Sequence, residues 1–225
     1  MLSFIICENL CGNLFMATVL CLFVVSVICA SLAYKIKKIL NKQGRKLSLD
    51  EETGVERRDS FTQRFENDLS DYSREKYFLA YFLTDSNCLQ VYYEDIPFSD
   101  AIKHLADTLS EFTDEYEFAG RVTESGFAMC FMSDSKEDAI ERIGKIREKL
   151  DLFLPEGKKK KNIYYTALCH LKKEDRYCES LLYNLCRNCV EIAGSRTGFV
   201  FCDSGMLNRV KYVKELVTSI RQGIK

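Results

Sequence analysis

The stretch Tyr77-Phe-Leu-Ala-Tyr-Phe-Leu83 (YFLAYFL) decides how the rest of the chain is read. Seven successive aromatic and apolar residues with no polar alternation describe a strand buried on both faces, as a central strand of a sheet is. Such a strand needs partners, and the sequence downstream supplies them. Gly120 to Phe131 (GRVTESGFAMCF) reads as part of a hairpin running from about Tyr116 to Met132 and hinged at Thr123-Glu124-Ser125-Gly126. Asn162 to Leu171 (NIYYTALCHL) reads as another strand, and Gly198 to Cys202 as a short edge strand.

Helices alternate with these strands. Phe61-Thr62-Gln63-Arg64-Phe65 marks a short helix before the first strand. Pro97-Phe98-Ser99-Asp100 supplies a cap and first turn, after which Ile102, Leu105, Leu109 and Phe112 recur at helical spacing. Ser135 caps a second amphipathic helix, with Ala139, Ile140, Ile143, Ile146 and Leu150 on its buried stripe and Lys136, Glu137, Glu141, Arg142 and Lys145 on its wet side. Pro155-Glu156-Gly157 ends it, and the lysines at 158–161 read as a solvated turn rather than a nucleic-acid contact. Cys178 to Ala193 is expected to be helical, as is Met206 to Ile220, where Met206, Val210, Val213, Val217 and Ile220 align.

The order is strand, helix, strand, strand, helix, strand, followed by helix, strand, helix. The first six elements spell the ferredoxin-like βαββαβ plan, which predicts an α+β fold: one antiparallel sheet with helices on one face, extra helices and an edge strand. A fold alone does not give a function.

Ahead of this plan, Leu14 to Tyr34 (LFMATVLCLFVVSVICASLAY) is uncharged. At about 1.5 Å per residue it is long enough to cross a hydrocarbon core of about 30 Å. The segment before it has no Lys or Arg, so it lacks the basic start of a signal peptide. Lys35, Lys37, Lys38, Lys42, Arg45 and Lys46 follow at once, which places that flank in the cytoplasm. The expected organisation is an extracytoplasmic N-terminus (1–13), one transmembrane helix (14–34) in the inner membrane, a juxtamembrane linker (35–58), a cytoplasmic domain (59–203) and a connector helix (204–225). The 32 basic residues balance 33 acidic ones, so bulk charge favours neither nucleic acid nor an acidic partner.

Eleven cysteines would suggest a disulfide scaffold in a secreted chain. Four lie in or before the span, and the other seven would face a reducing compartment, so free buried thiols are expected. Cys186-Arg-Asn-Cys189, with Cys169-His170 upstream, has spacing compatible with zinc, but it falls in an apolar helical pattern with no second pair.

With these elements in this order, the region from about Asp59 to Asp203 resembles the GGDEF domain, the diguanylate cyclase module that joins two GTP into cyclic di-GMP. The family's hairpin reads R-x-G-G-[DE]-E-F. Arg121-Val122-Thr123-Glu124-Ser125-Gly126-Phe127 keeps the arginine and phenylalanine and replaces the residues of the signature between them. The family's opening D-x-L-T-G-L-x-N-R is placed at Asp59-Ser60-Phe61-Thr62-Gln63-Arg64-Phe65, and its A-D-x-A-[LM]-Y at Leu185 to Val190.

The resemblance implies where metal and nucleotide would be held. Attack of a 3′-hydroxyl on an α-phosphate requires Mg²⁺ on the triphosphate, and anionic oxygens to hold the metal. In the family these come from the third hairpin position, here Ser125, and from the first aspartate of a D-x-D ending the first strand, which falls on Leu83 with Asp85 two residues later. The second acidic hairpin position is Gly126, and Thr123 and Glu124 replace two glycines that let phosphate approach the backbone. The guanine-side Asn and Asp fall on Val91 and Tyr92, while a later G-D pair survives as Ser99-Asp100. Asp100 is therefore the one nucleotide contact carried over, and Asp85 the one metal ligand. The family's inhibitory R-x-x-D falls on Asp114-Glu115-Tyr116-Glu117, whose three acids would repel an anionic dinucleotide.

The resulting expectation is a membrane-anchored, catalytically degenerate GGDEF-type protein with a regulatory or protein-interaction role in cyclic di-GMP signalling, either standing alone or as the front part of a GGDEF-EAL type protein. It needs no cofactor, with Mg²⁺ and GTP relevant only if nucleotide binding survives. Its expected partners are the membrane, a second copy, or an EAL-type phosphodiesterase or other signalling protein. The alternatives are a divergent active cyclase, a GTP sensor without turnover, and a different ferredoxin-like domain.

Overall fold

The structure, a computed structural model, describes residues 48–69, 73–155, 161–195, 197–203 and 205–206. The chain divides after Leu47 into two units, and the described residues all lie in the second. The expected span at Leu14 to Tyr34 and the closing helix beyond Met206 lie outside them. Among the described residues no helix is long and apolar enough to cross a membrane.

In chain order the elements are β1 (Glu56–Arg57), α1 (Arg58–Asn67), a 3-10 turn (Arg74–Lys76), β2 (Tyr77–Thr84), α2 (Ser86–Tyr92), α3 (Phe98–Glu111), β3 (Phe118–Arg121), β4 (Gly126–Met132), α4 (Lys136–Asp151), β5 (Tyr164–His170), α5 (Cys178–Glu191) and β6 (Phe199–Phe201). They build one six-stranded sheet in the order β1-β3-β4-β2-β5-β6. As its unbroken apolar run requires, β2 lies in the interior, antiparallel to β4 on one side and β5 on the other. β3 and β4 form the expected hairpin, and β6 joins β5 in parallel at the far edge. The strands β3-β4-β2-β5, with α3 and α4 as crossovers, are the ferredoxin-like core.

Helices cover both faces of the sheet, not one as the plan predicts. Phe78, Ala80 and Phe82 meet Ile102, Leu105 and Leu109 of α3 and Ile143, Ile146 and Leu150 of α4. Tyr77, Leu79 and Tyr81 meet Phe61 and Phe65 of α1 and Leu181, Leu182, Leu185 and Cys189 of α5. Successive side chains of a strand point to opposite faces, so a strand apolar at every position needs two covers. Each large apolar side chain left uncovered would forfeit about 1.5–3 kcal/mol.

Described elements also lie ahead of the boundary expected at Asp59. Residues 50–55 form a tight turn in which Gly54 N donates to Asp50 O at 2.8 Å and Asp50 N to Val55 O at 2.8 Å. Thr53 donates from both its N and its Oγ1 to Asp50 Oδ1, at 2.9 and 2.6 Å. Gly54 takes φ 78°, in the left-handed region that favours glycine. β1 follows and lies parallel to β3. It approaches so closely that a Cβ at Gly120 would sit 2.9 Å from Glu56 O and from Phe61 Cβ. A two-residue strand in an acid-rich stretch has no hydrophobic period to betray it, so composition alone marks it as linker.

Candidate functional site

The hairpin tip and the end of β2 meet at one corner of the sheet. Leu83 pairs with Gly126 across the β2–β4 ladder, and Thr84 N donates to Ser125 O at 2.8 Å. The tip is closed by Val122 N donating to Gly126 O at 2.9 Å and Gly126 N to Thr123 O at 3.4 Å. Positions 83, 125 and 126, at which the resemblance expects carboxylates, are thus brought together by the fold, and here they carry an isobutyl group, a hydroxyl and no side chain. Thr123 and Glu124 are exposed, Ser125 is half-buried, and Phe127 is buried opposite Phe82. The Tyr81 hydroxyl lies 3.1 Å from Thr123 Oγ1, tying the tip to the sheet beneath it.

Arg121 braces the same turn. Its Nε and Nη2 donate to Glu124 O at 3.3 and 2.9 Å, while Nη1 donates to Asp50 Oδ1 at 3.3 Å and Glu52 Oε2 at 2.6 Å. Burial tends to raise the Asp50 pKa, but the Thr53 hydrogen bonds and the Arg121 charge outweigh it and hold the carboxyl below its ordinary value. These contacts bring a second acidic stretch beside the hairpin tip. Asp50-Glu51-Glu52-Thr53-Gly54-Val55-Glu56-Arg57-Arg58 also carries the aspartate, threonine, glycine and last arginine of the D-x-L-T-G-L-x-N-R pattern, with Val55 at a hydrophobic position. Asp59, the expected start of the pattern, is an exposed first-turn residue of α1.

Asp85, the candidate metal ligand, is the N-cap of α2, its carboxylate accepting from Cys88 N at 2.9 Å. Asp100, the candidate nucleotide contact, is exposed in the first turn of α3 and accepts from Ser99 Oγ at 3.3 Å. Between α2 and the start of α3 lies a cavity of about 520 Å³ lined by Ser86, Leu89, Gln90, Glu94, Ile96 and Phe98. Val91 and Tyr92, which stand where the guanine-side amide and acid are expected, are exposed on α2, and the Lys161 ammonium sits 5.4 Å from the Tyr92 ring.

The acidic run before the hairpin is divided in its roles. Asp114 and Glu115 are exposed, whereas Glu117 is buried and paired with Arg142 of α4. Of the Cys186/Cys189 pair, Cys189 is buried, its thiol directed at Tyr81 O and Tyr165 O at 3.5 and 3.6 Å. His170 is exposed at the end of β5, 2.7 Å from Glu75 O, while the preceding Cys169 is buried. Among the described residues no three His, Cys, Asp or Glu side chains gather as a metal-holding group.

This architecture is that of GGDEF domains. The diguanylate cyclase SiaD of Pseudomonas aeruginosa, solved in complex with its activator SiaC, superposes with a TM-score of 0.66 at 16% identity, over 87% of this chain and 77% of that one. The coiled coil and GGDEF domain of DgcB from Caulobacter crescentus, solved with c-di-GMP, gives 0.57 at 14% identity, over 80% of this chain and 99% of that one. The S helix-GGDEF-EAL portion of Vibrio cholerae LapD, bound to c-di-GMP, gives 0.55 at 16% identity, over 76% of this chain but 41% of that one. No family model and no curated protein sequence matches the chain.

Proposed function

We propose that this chain is a regulatory GGDEF-fold module that does not itself condense GTP and that acts in cyclic di-GMP signalling through protein contacts, held at the inner membrane by the Leu14 to Tyr34 segment with its domain in the cytoplasm. The observation that carries this reading is the donor set at the corner where β2 meets the hairpin. Leu83 and Gly126 offer no side-chain oxygen, Ser125 offers one neutral hydroxyl, and one oxygen of the Asp85 carboxylate is engaged as a helix cap. That set does not fit Mg²⁺, a hard cation that takes anionic oxygen in strict octahedral geometry. Glu124 adds a negative charge at the tip, where a triphosphate would have to approach.

Protein partners fit the company the fold keeps, since SiaD is seen with an activator protein and LapD joins its GGDEF domain to an EAL domain. A second copy of this chain or an EAL-type phosphodiesterase are the partners of choice, and nucleic acid is not one. Incubating the full chain in detergent with GTP and Mg²⁺ tests the reading. Neither pyrophosphate nor cyclic dinucleotide is expected, and release of either, abolished by D85A or E124A, would refute it. One observation favours a second reading, a GTP sensor without turnover: the cavity between α2 and α3 is of ligand size. GTP titration that saturates equally with and without Mg²⁺ would support the sensor.

A further inference from the structure

The hairpin tip is blocked from beneath as well as altered at its surface. β4 begins at Gly126, whose φ is not positive, so its backbone conformation does not call for glycine. Space does. A Cβ at this position would lie 1.9 Å from Tyr81 Oη, 2.6 Å from Tyr81 Cζ and 2.4 Å from Thr123 Oγ1. Tyr81 cannot simply swing aside, because its ring is 1% exposed and packed in the cluster that includes Ala128, Leu185 and Cys189. Directly across the ladder from Tyr81 stands Ala128, a small residue, and the phenol hydroxyl reaches on to Thr123. Burial raises the Tyr81 pKa, and the phenol and the Thr123 hydroxyl share a hydrogen bond in which either can donate.

We infer that Tyr81 is the residue that closes the tip: its phenol occupies the volume any side chain at position 126 would need and latches Thr123, so β4 cannot present an acidic group to a divalent cation while Tyr81 is in place. This deepens the reading of the tip given above and rests on it. Restoring an acid at position 126 alone would strain the hairpin rather than rebuild a metal site. The change of site is therefore shared between Tyr81 of β2 and the hairpin tip, whose Thr123 lies 42 residues later in sequence.

Thermal unfolding of the full chain in detergent tests this. On strand propensity alone, G126A should be neutral or stabilising. The clash instead predicts that it lowers Tm by roughly 3–10 °C, the range that overpacking gives in a chain of this size. In a Y81L background the same G126A substitution is expected to leave Tm within roughly 2 °C or to raise it. An unchanged Tm for G126A in the wild-type background, or an equal loss in both backgrounds, overturns the inference.

Should Y81L fail to fold, Y81F removes the hydroxyl and keeps the ring. Hydrogen exchange at the Thr123 and Gly126 amides is then expected to quicken roughly two- to tenfold, as loss of one hydrogen bond implies. Unchanged exchange there refutes the latch. None of these measurements involves nucleotide. GTP turnover by the wild-type chain would therefore sink the proposed function and leave Tyr81 standing, whereas tolerance of G126A would do the reverse.

Discussion

Replacing Glu117 by alanine removes the charged centre on which three segments converge. The side chain is 4% exposed and receives Arg142 Nη1 at 2.7 Å, a second bond from Arg142 Nη2, Met132 N at 3.0 Å and Asp114 N at 3.0 Å. Arg142 also donates to Phe112 O and lies 4.9 Å from the Phe131 ring, so α4, the end of β4 and the loop before β3 are joined at this point. E117A leaves two main-chain N–H groups and a guanidinium without their acceptor. Removing one member of a buried ion pair costs about 3–5 kcal/mol, and the orphaned donors, at about 1–3 kcal/mol each, are already part of that figure. Arg142 keeps 22% exposure and its carbonyl contacts, which favours the lower end, about 3 kcal/mol. In a chain of this size that lowers Tm by roughly 6–12 °C. The assay is thermal unfolding followed by circular dichroism, with E115A as the control: Glu115 is exposed in the same loop and its loss should stay within about 0.5 kcal/mol. A double-mutant cycle with R142A should show strong coupling, because each single change strands the other's partner. A Tm for E117A within roughly 2 °C of wild type, or additive losses in the cycle, would refute this account and return the acidic run to the solvent.

D85A should cost about 1 kcal/mol through loss of the α2 cap, whereas D85S, which can still accept from Cys88 N, should recover most of it; equal losses would argue that Asp85 does something other than cap. Burial pushes the His104 imidazole below its ordinary value against the opposing influence of Asp107, so the fold favours the neutral ring. The unfolded chain therefore takes up its proton first, stability falls as pH drops below about 6.5, and H104L should flatten that slope in Tm measured from pH 8 to 5. For Asp50 the folded state favours the charged form, so its contribution is present above the ordinary carboxylate range and lost below about pH 4; D50N should abolish that acid-sensitive part. Burial pushes Cys178 and Cys202 up to about 12, so alkylation of the native protein at pH 8 should reach half-buried Cys186 and Cys88 first, and the buried thiols of the domain only after unfolding.

The elements whose information is local are legible in the chain alone. The unbroken apolar run of β2, the helical spacing in α3 and α4, the Ser135 cap and the hairpin between Phe118 and Met132 are all written in neighbouring residues, and together they fix the βαββαβ order and its likeness to GGDEF domains. What the sequence left open is what depends on distant contacts. Nothing local shows that α1 and α5 cover the second face, or that Asp50 and Glu52 reach Arg121 from 71 and 69 residues away. The same holds for the inward turn of Glu117, which depends on an arginine 25 residues later. At the candidate site the sequence shows which acids are missing, since residue identity alone carries that. Only the tertiary structure shows that Asp85 is engaged as a cap and that Tyr81 fills the space beside Gly126, because a side chain's role is set by which atoms the fold brings within bonding distance of it.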